Sequence, residues 1–196
     1  MATPTYEFIP SPNFSKRVKP ISAVVIHYTA SLSIDGTIDW FKRRESQVSA
    51  HYVIGRDGRV VQMVADDNVG WHAGRSALRP DLPDGDPAKE PNVNAFSIGI
   101  ELVGTADSGF TDRQLRSLYE LLQILVVRYQ ISPERVVGHS HIAPGRKIDP
   151  DGYDHQFPWA KTRETARLAY RTVRRGPDPA PPVPASGATP APTAPQ

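Results

Sequence analysis

The segment HYVIGRDGRVVQMV, residues 51–64, constrains the fold more than any other part of the chain. Two runs rich in β-branched residues flank Asp57-Gly58, and an Asp-Gly pair between such runs is the strongest short-range signal for a β-hairpin. The fold must therefore contain an antiparallel strand pair. Three other segments, VVIHY (24–28), FSIGIELVG (96–104) and RVVGH (135–139), are short apolar runs of the buried-strand kind. Helical patterns lie between them, and strands alternating with helices argue for an α/β fold. Combined with the hairpin, this predicts a central mixed β-sheet flanked by helices. Gly99, in the middle of one strand, marks a point where other atoms approach the backbone closely.

Residues 34–44 read as a short helix with Ile38, Trp40 and Phe41 as its apolar positions. The strongest helical pattern opens at Thr111, which with Gln114 matches a capping box. Leu115, Leu118, Tyr119, Leu122, Leu125, Val126 and Tyr129 follow with the spacing of a core-facing stripe. Residues 159–173 predict a closing helix. From Gly176 the chain changes character: GPDPAPPVPASGATPAPTAPQ is rich in Pro and Ala and holds one charged residue, Asp178. Such a segment buries too little to offset its ordering entropy. The expected organisation is one folded domain, residues 1–175, ordered from about residue 11, and a disordered tail or linker, residues 176–196.

Composition removes several classes. With 196 residues, 39% hydrophobic and 22% charged, the chain suits one soluble domain. No run approaches the ~18 apolar residues of a membrane-spanning helix. The first residues, MATPTYEFIP, hold no apolar core of a signal peptide, so no secretion signal is expected in this sequence. Net charge is +2, from 23 basic and 21 acidic residues, without the basic stripe that nucleic-acid binding needs. There is no cysteine, so any zinc site must be built from His and carboxylates.

Chemistry concentrates in a few places. His27 and His139 each sit near the end of an apolar strand, where α/β sheets present functional groups. The segment HSHIAPGRKIDPDG (139–152) gathers two His, an Arg, a Lys and two Asp while offering only Ile142 and Ile148 to a core. Catalytic zinc takes three protein ligands and keeps one position open, and His27, His139 and Asp149 would supply such a set. Spacing alone leaves open the alternative of histidines satisfied at sheet edges. Glu101 is the one charge in an apolar strand, a position that is costly unless the carboxylate is paired or functional. It is a candidate general base, or else an exposed or Arg-paired edge residue. Lys147 precedes Asp149 by two, so in an extended segment both side chains point the same way. That lysine is a candidate oxyanion partner, or else a surface residue. Trp71 and His72 read as an exposed aromatic and a His in a loop, where such an aromatic could serve as a platform for sugar or peptide, though a lone Trp more often caps a core.

Together VVIHYT, SAHYVIGRDG, WHAG, NAFSIGIELVG and GHSHIAPGRKIDPDG, in this order, resemble the type 2 N-acetylmuramoyl-L-alanine amidases, which share a fold with the peptidoglycan recognition proteins. The resemblance implies hydrolysis of the amide between N-acetylmuramic acid and L-alanine of the peptidoglycan stem peptide. It implies one zinc ion on His27, His139 and Asp149, with Glu101 and Lys147 catalytic and Trp71 and His72 bordering the substrate. His51 is expected to be structural. The implied partner is peptidoglycan or a muropeptide, the chain is expected to be a monomer, and no nucleic acid is involved. A catalytically silent peptidoglycan-binding module is the alternative, and a zinc peptidase cutting within the stem peptide is a third.

The chain departs from the family pattern at three points. His141 stands where the bacterial enzymes usually carry Asp, which bears on the support of the metal. Residues 151–156 form a longer insert than expected and include His155. Tyr28 stands where the cytoplasmic recycling branch typically has Asn, a likeness to the broad-specificity branch. Two contexts fit: wall remodelling or recycling in bacteria, and a phage endolysin made in the cytoplasm.

Overall fold

The computed structural model describes residues 6–79, 81–82, 86, 88–154 and 157–175. In chain order the elements are β1 (Glu7–Phe8), β2 (Phe14–Lys16), β3 (Ala23–Tyr28), α1 (Ile34–Phe41), β4 (Tyr52–Ile54), β5 (Val60–Gln62), β6 (Asn68–Gly70), β7 (Ala77–Leu78), β8 (Glu90–Pro91), β9 (Ser97–Leu102), α2 (Asp112–Tyr129), β10 (Val136–Gly138), α3 (His139–Ile142) and α4 (Trp159–Arg175). Six strands form one sheet in the order β1-β5-β4-β9-β3-β10. Only the β4/β5 hairpin is antiparallel within it; the remaining pairs are parallel, so the sheet is mixed as expected. Two short antiparallel ribbons, β2/β6 and β7/β8, lie apart from it.

One face of the sheet carries the main core. Val24, Ile26, Ile98, Ile100 and Leu102 pack with Leu118, Leu121, Leu122, Leu125 and Val126 of α2 and with Ala166 and Ala169 of α4. Parallel strands covered by helices read as continuous apolar runs for this reason. The hairpin turns where expected, with Gly58 at φ 92°. Its tip is tied to the start of α2, because Ser117 Oγ donates to the Gly58 carbonyl at 2.7 Å.

Four local expectations change. The N-terminal boundary lies earlier than residue 11, since β1 adds Glu7 and Phe8 to the sheet beside β5. Helix α1 stops at Phe41, and Trp40 is 50% exposed rather than core. Thr111 Oγ1 caps α2 by accepting from the Gln114 N–H at 3.2 Å. The Gln114 side chain, however, completes no capping box. It is buried and its Nε2 donates to the carbonyls of Ile54 and Val103, tying α2 to the ends of β4 and β9. Among the described residues no helix is long and apolar enough to cross a membrane. The tail expected over residues 176–196, and His155, lie outside the described residues.

Candidate active site

Strands β9, β3 and β10 are parallel neighbours, so their carboxyl ends lie side by side. His27 is the penultimate residue of β3 and its register partner on β9 is Glu101. His139 follows the last residue of β10 and opens α3. In-register residues of parallel strands point to one face, and alternate residues to the other. The core-facing positions of β3 and β9 therefore leave Ala23, Val25 and His27, and Ser97, Gly99 and Glu101, on the opposite face. Asp149 reaches this face by a tight turn, not by the extended segment expected. Gly145 has φ 73°, and the N–H groups of Arg146 and Lys147 both donate to the Ala143 carbonyl. The turn leaves Lys147 exposed and Asp149 buried, with both on the wall of one cavity. The Ser140 N–H donates to the Asp149 carbonyl at 2.8 Å and closes the loop on α3.

The structure brings His27, His139 and Asp149 together. His27 Nδ1 lies 3.0 Å from both His139 Nδ1 and Asp149 Oδ2, and His139 Nδ1 lies 3.1 Å from Asp149 Oδ2. All three are buried, and among the described residues they form the one group arranged to hold a metal ion. The donor chemistry fits. His139 Nε2 sits 3.0 Å from the Ala73 carbonyl, which only accepts, so Nε2 carries the hydrogen and Nδ1 of the neutral ring offers a lone pair. That lone pair faces a carboxylate oxygen, an arrangement that calls for a cation between them. A tetrahedral ion with bonds of ~2.0 Å keeps its ligands ~3.3 Å apart, close to the separations here. A ligand histidine whose other N–H meets a backbone carbonyl is the usual outer support of such a site.

Electrostatics follow burial. Desolvation lowers His27 to about 4 and outweighs its contact with Asp149. Burial alone would raise Asp149, but contacts with His139 and His27 outweigh it and hold the carboxyl below the usual range. Glu101 moves the other way, up to about 8, because burial and the charge of Asp149 outweigh Lys147. Its Oε2 is enclosed and meets no hydrogen-bond partner among the described residues. An enclosed, unpartnered carboxylate oxygen beside a metal-type cluster is a place for a proton in transit.

These groups line a cavity of ≈ 570 Å³, whose wall also holds Trp71, His72, Tyr28, Trp40, Arg146 and Tyr153. His72 does more than line it. Its ring stands on Gly99, where an added Cβ would overlap the imidazole, so the close approach expected at this glycine is made by His72. His51 lies behind, its Nδ1 accepting from the Gly99 N–H at 3.0 Å, and joins β4 to β9. His141 turns away from the cluster: its Nδ1 accepts from the Gly138 N–H at 3.0 Å and its ring lies 4.6 Å from that of Trp159. Sequence reasoning did not single out Arg146, Trp40 or Tyr153. Trp40 was absorbed into a helical stripe, and Tyr153 is 71% exposed in the insert.

The sequence profile of the family described as N-acetylmuramoyl-L-alanine amidase matches residues 17–152. The 1,6-anhydro-N-acetylmuramyl-L-alanine amidase AmpD of Haemophilus influenzae is 36% identical over 173 residues, covering 78% of this chain and 88% of that one. The N-acetylmuramoyl-L-alanine amidase AmiD of Escherichia coli is 32% identical over 171 residues, covering 79% of this chain and 56% of AmiD. The solved complex of E. coli AmiD with anhydro-N-acetylmuramic acid-L-Ala-D-gamma-Glu-L-Lys superposes with a TM-score of 0.64 at 32% identity, over 74% of this chain and 57% of that one.

Proposed function

The chain belongs to the N-acetylmuramoyl-L-alanine amidase family, and we propose that it hydrolyses the amide between the lactyl group of N-acetylmuramic acid and the L-alanine of the peptidoglycan stem peptide, using one zinc ion held by His27, His139 and Asp149. The observation that carries this reading is the convergence of two imidazole nitrogens and one carboxylate oxygen to 3.0–3.1 Å. It is reinforced by the unpartnered Glu101 oxygen next to them. When bound, zinc polarises the scissile carbonyl and lowers the pKa of a water to ~7.

The remaining work falls to side chains. Glu101 takes a proton from the attacking water and returns it to the amide nitrogen as the C–N bond breaks. The products are a lactyl carboxylate on the sugar and a free amine on L-alanine. A nearby cation would favour the ionised form of the Glu101 carboxyl and lower its value from about 8 toward neutral pH, which suits a group that both accepts and gives a proton. Lys147, exposed on the cavity wall, offers its charge to the oxyanion that forms on the carbonyl. Trp71 and His72 border the substrate, and Trp40 and Tyr153 add flat apolar surface for sugar or peptide. The catalytic unit is residues 1–175, active as a monomer, with 176–196 a tail. A silent binding module would lack part of this set, whereas the three ligand residues, Glu101 and Lys147 are all present.

The test is metal analysis of the purified protein, with mass spectrometry of the products from intact sacculi and from anhydro-muropeptides in parallel. Bound zinc and sugar-free stem peptides beginning with L-alanine are expected, and chelation should stop their release. Binding without release would leave the silent module, and cuts inside the stem peptide would make the protein a peptidase.

A further inference from the structure

Behind the two histidines lies an outer layer that takes no part in the proposed proton transfers. Residues 72 and 73 serve one histidine each. His72 Nδ1 lies 3.1 Å from His27 Nε2, and the next residue's carbonyl, Ala73 O, lies 3.0 Å from His139 Nε2. Both residues are held from the far side by Asn94, whose Oδ1 accepts from the backbone N–H of His72 at 3.2 Å and of Ala73 at 2.8 Å. The His72 ring is fixed at its other nitrogen, where Nε2 lies 3.2 Å from Ser97 Oγ. Ser97, fully buried, donates its own hydroxyl hydrogen to the Val93 carbonyl at 2.6 Å.

The direction of this chain follows from its end. A carbonyl only accepts, so the Ser97 hydroxyl hydrogen is committed to Val93 and its oxygen is left to accept. His72 must then donate from Nε2, which leaves Nδ1 of the neutral ring as an acceptor. His27 must in turn donate from Nε2, which leaves its Nδ1 lone pair facing His139 and Asp149. The tautomer of a ligand histidine is set by the bond its other nitrogen makes, and here that bond is itself set two residues further out.

We infer that Ser97 and His72 are positioning residues: together they form a hydrogen-bond relay, anchored on the Val93 carbonyl, that presets the tautomer of His27 for a cation. Gly99 belongs to the same device, since only a residue without Cβ lets the His72 ring lie on β9 between Ser97 and Glu101. The inference rests on the zinc reading for the identity of the cation, but the relay has a signature of its own.

In the metal-free protein, long-range nitrogen–proton NMR should find His72 with its hydrogen on Nε2. In Ser97→Ala the fixed acceptor is gone, and His72 should become a mixture of both tautomers, whereas Ser97→Thr should restore the single form. Zinc affinity, measured by competition with a chelator, should fall about 10–100-fold in Ser97→Ala, with a comparable loss in His72→Phe and recovery in Ser97→Thr. A His72 hydrogen on Nδ1 in the wild-type protein overturns the relay. So does zinc affinity that is unchanged in both Ser97→Ala and His72→Phe. If the wild-type protein shows the expected tautomer yet binds no zinc, the relay stands and the amidase reading falls.

Discussion

Strand β9 presents two different chemistries on its two faces. Ile98, Ile100 and Leu102 are fully buried under α2 and α4. Between them, Ser97, Gly99 and Glu101 face the opposite way and hold the hydroxyl of the proposed relay, a platform for the His72 imidazole and the carboxylate proposed for proton transfer. Burial is high on both faces, so accessibility does not separate them; partners do. On the helical face each side chain is one of many interchangeable contacts, while on the other Ser97 Oγ has particular partners and Glu101 Oε2 has none among the described residues. The helical face should therefore govern stability, and the other the proposed function.

The largest effect expected from this contrast is on catalysis. Glu101→Gln should lower the turnover of a muropeptide by roughly 10²–10⁴-fold with little change in the thermal unfolding midpoint. A variant that keeps most of its turnover would remove the proton-transfer role. One residue earlier, Ile100→Ala should do the reverse, losing about 2–5 kcal/mol of stability to denaturant while the folded fraction still binds zinc. A loss of zinc in step with Ile100 truncation would mean that the two faces are not separable.

A graded effect is expected from acid. Burial, and then the charge of Arg17, lower His51 from 6.5 to about 3, so between those values the unfolded chain binds the proton that the folded chain refuses. Stability should decline as pH falls through that window, by at most ~1.4 kcal/mol per pH unit from this residue. Urea midpoints at pH 7 and pH 5 should move less in His51→Asn than in wild type, and an unchanged slope would exclude His51 as a source. Smallest in stability is Trp40→Ala, at the cavity rim, where a shift within about 0.5 kcal/mol should accompany a raised KM. An unchanged KM would take Trp40 out of the substrate site.

The helical face was the more legible of the two. Apolar period and β-branched composition marked β3, β9, β10, the hairpin, α2 and α4, because each must bury a stripe or a face. The charged residues of the site were legible as exceptions to that pattern: Glu101 in an apolar strand, and a 139–152 loop with little to bury. Gly99 was legible as a close approach, although nothing in the sequence said that His72 was the group approaching. What escaped depended on single distant partners. Strand β1 is two exposed residues joined to β5 through the backbone, with no side-chain pattern to announce it. Asn94 and Ser97 look like ordinary polar residues until residues 72 and 73 are folded against them. Gln114 matched a local motif, but its side chain was taken by two carbonyls from β4 and β9.

The candidate metal site has a consequence for the chain as a polymer. His27 and His139 are 112 residues apart in sequence, and the chain has no cysteine with which to make a covalent tie. An ion shared between them would close a loop that spans most of the domain. By loop-closure entropy, a disulfide across such a span would stabilise the folded state by ~4.7 kcal/mol. Such an ion would be a tie of the same reach, joining β10 to β3, that a chelator could withdraw. Removing it should loosen the edge strand of the sheet as well as stop the chemistry.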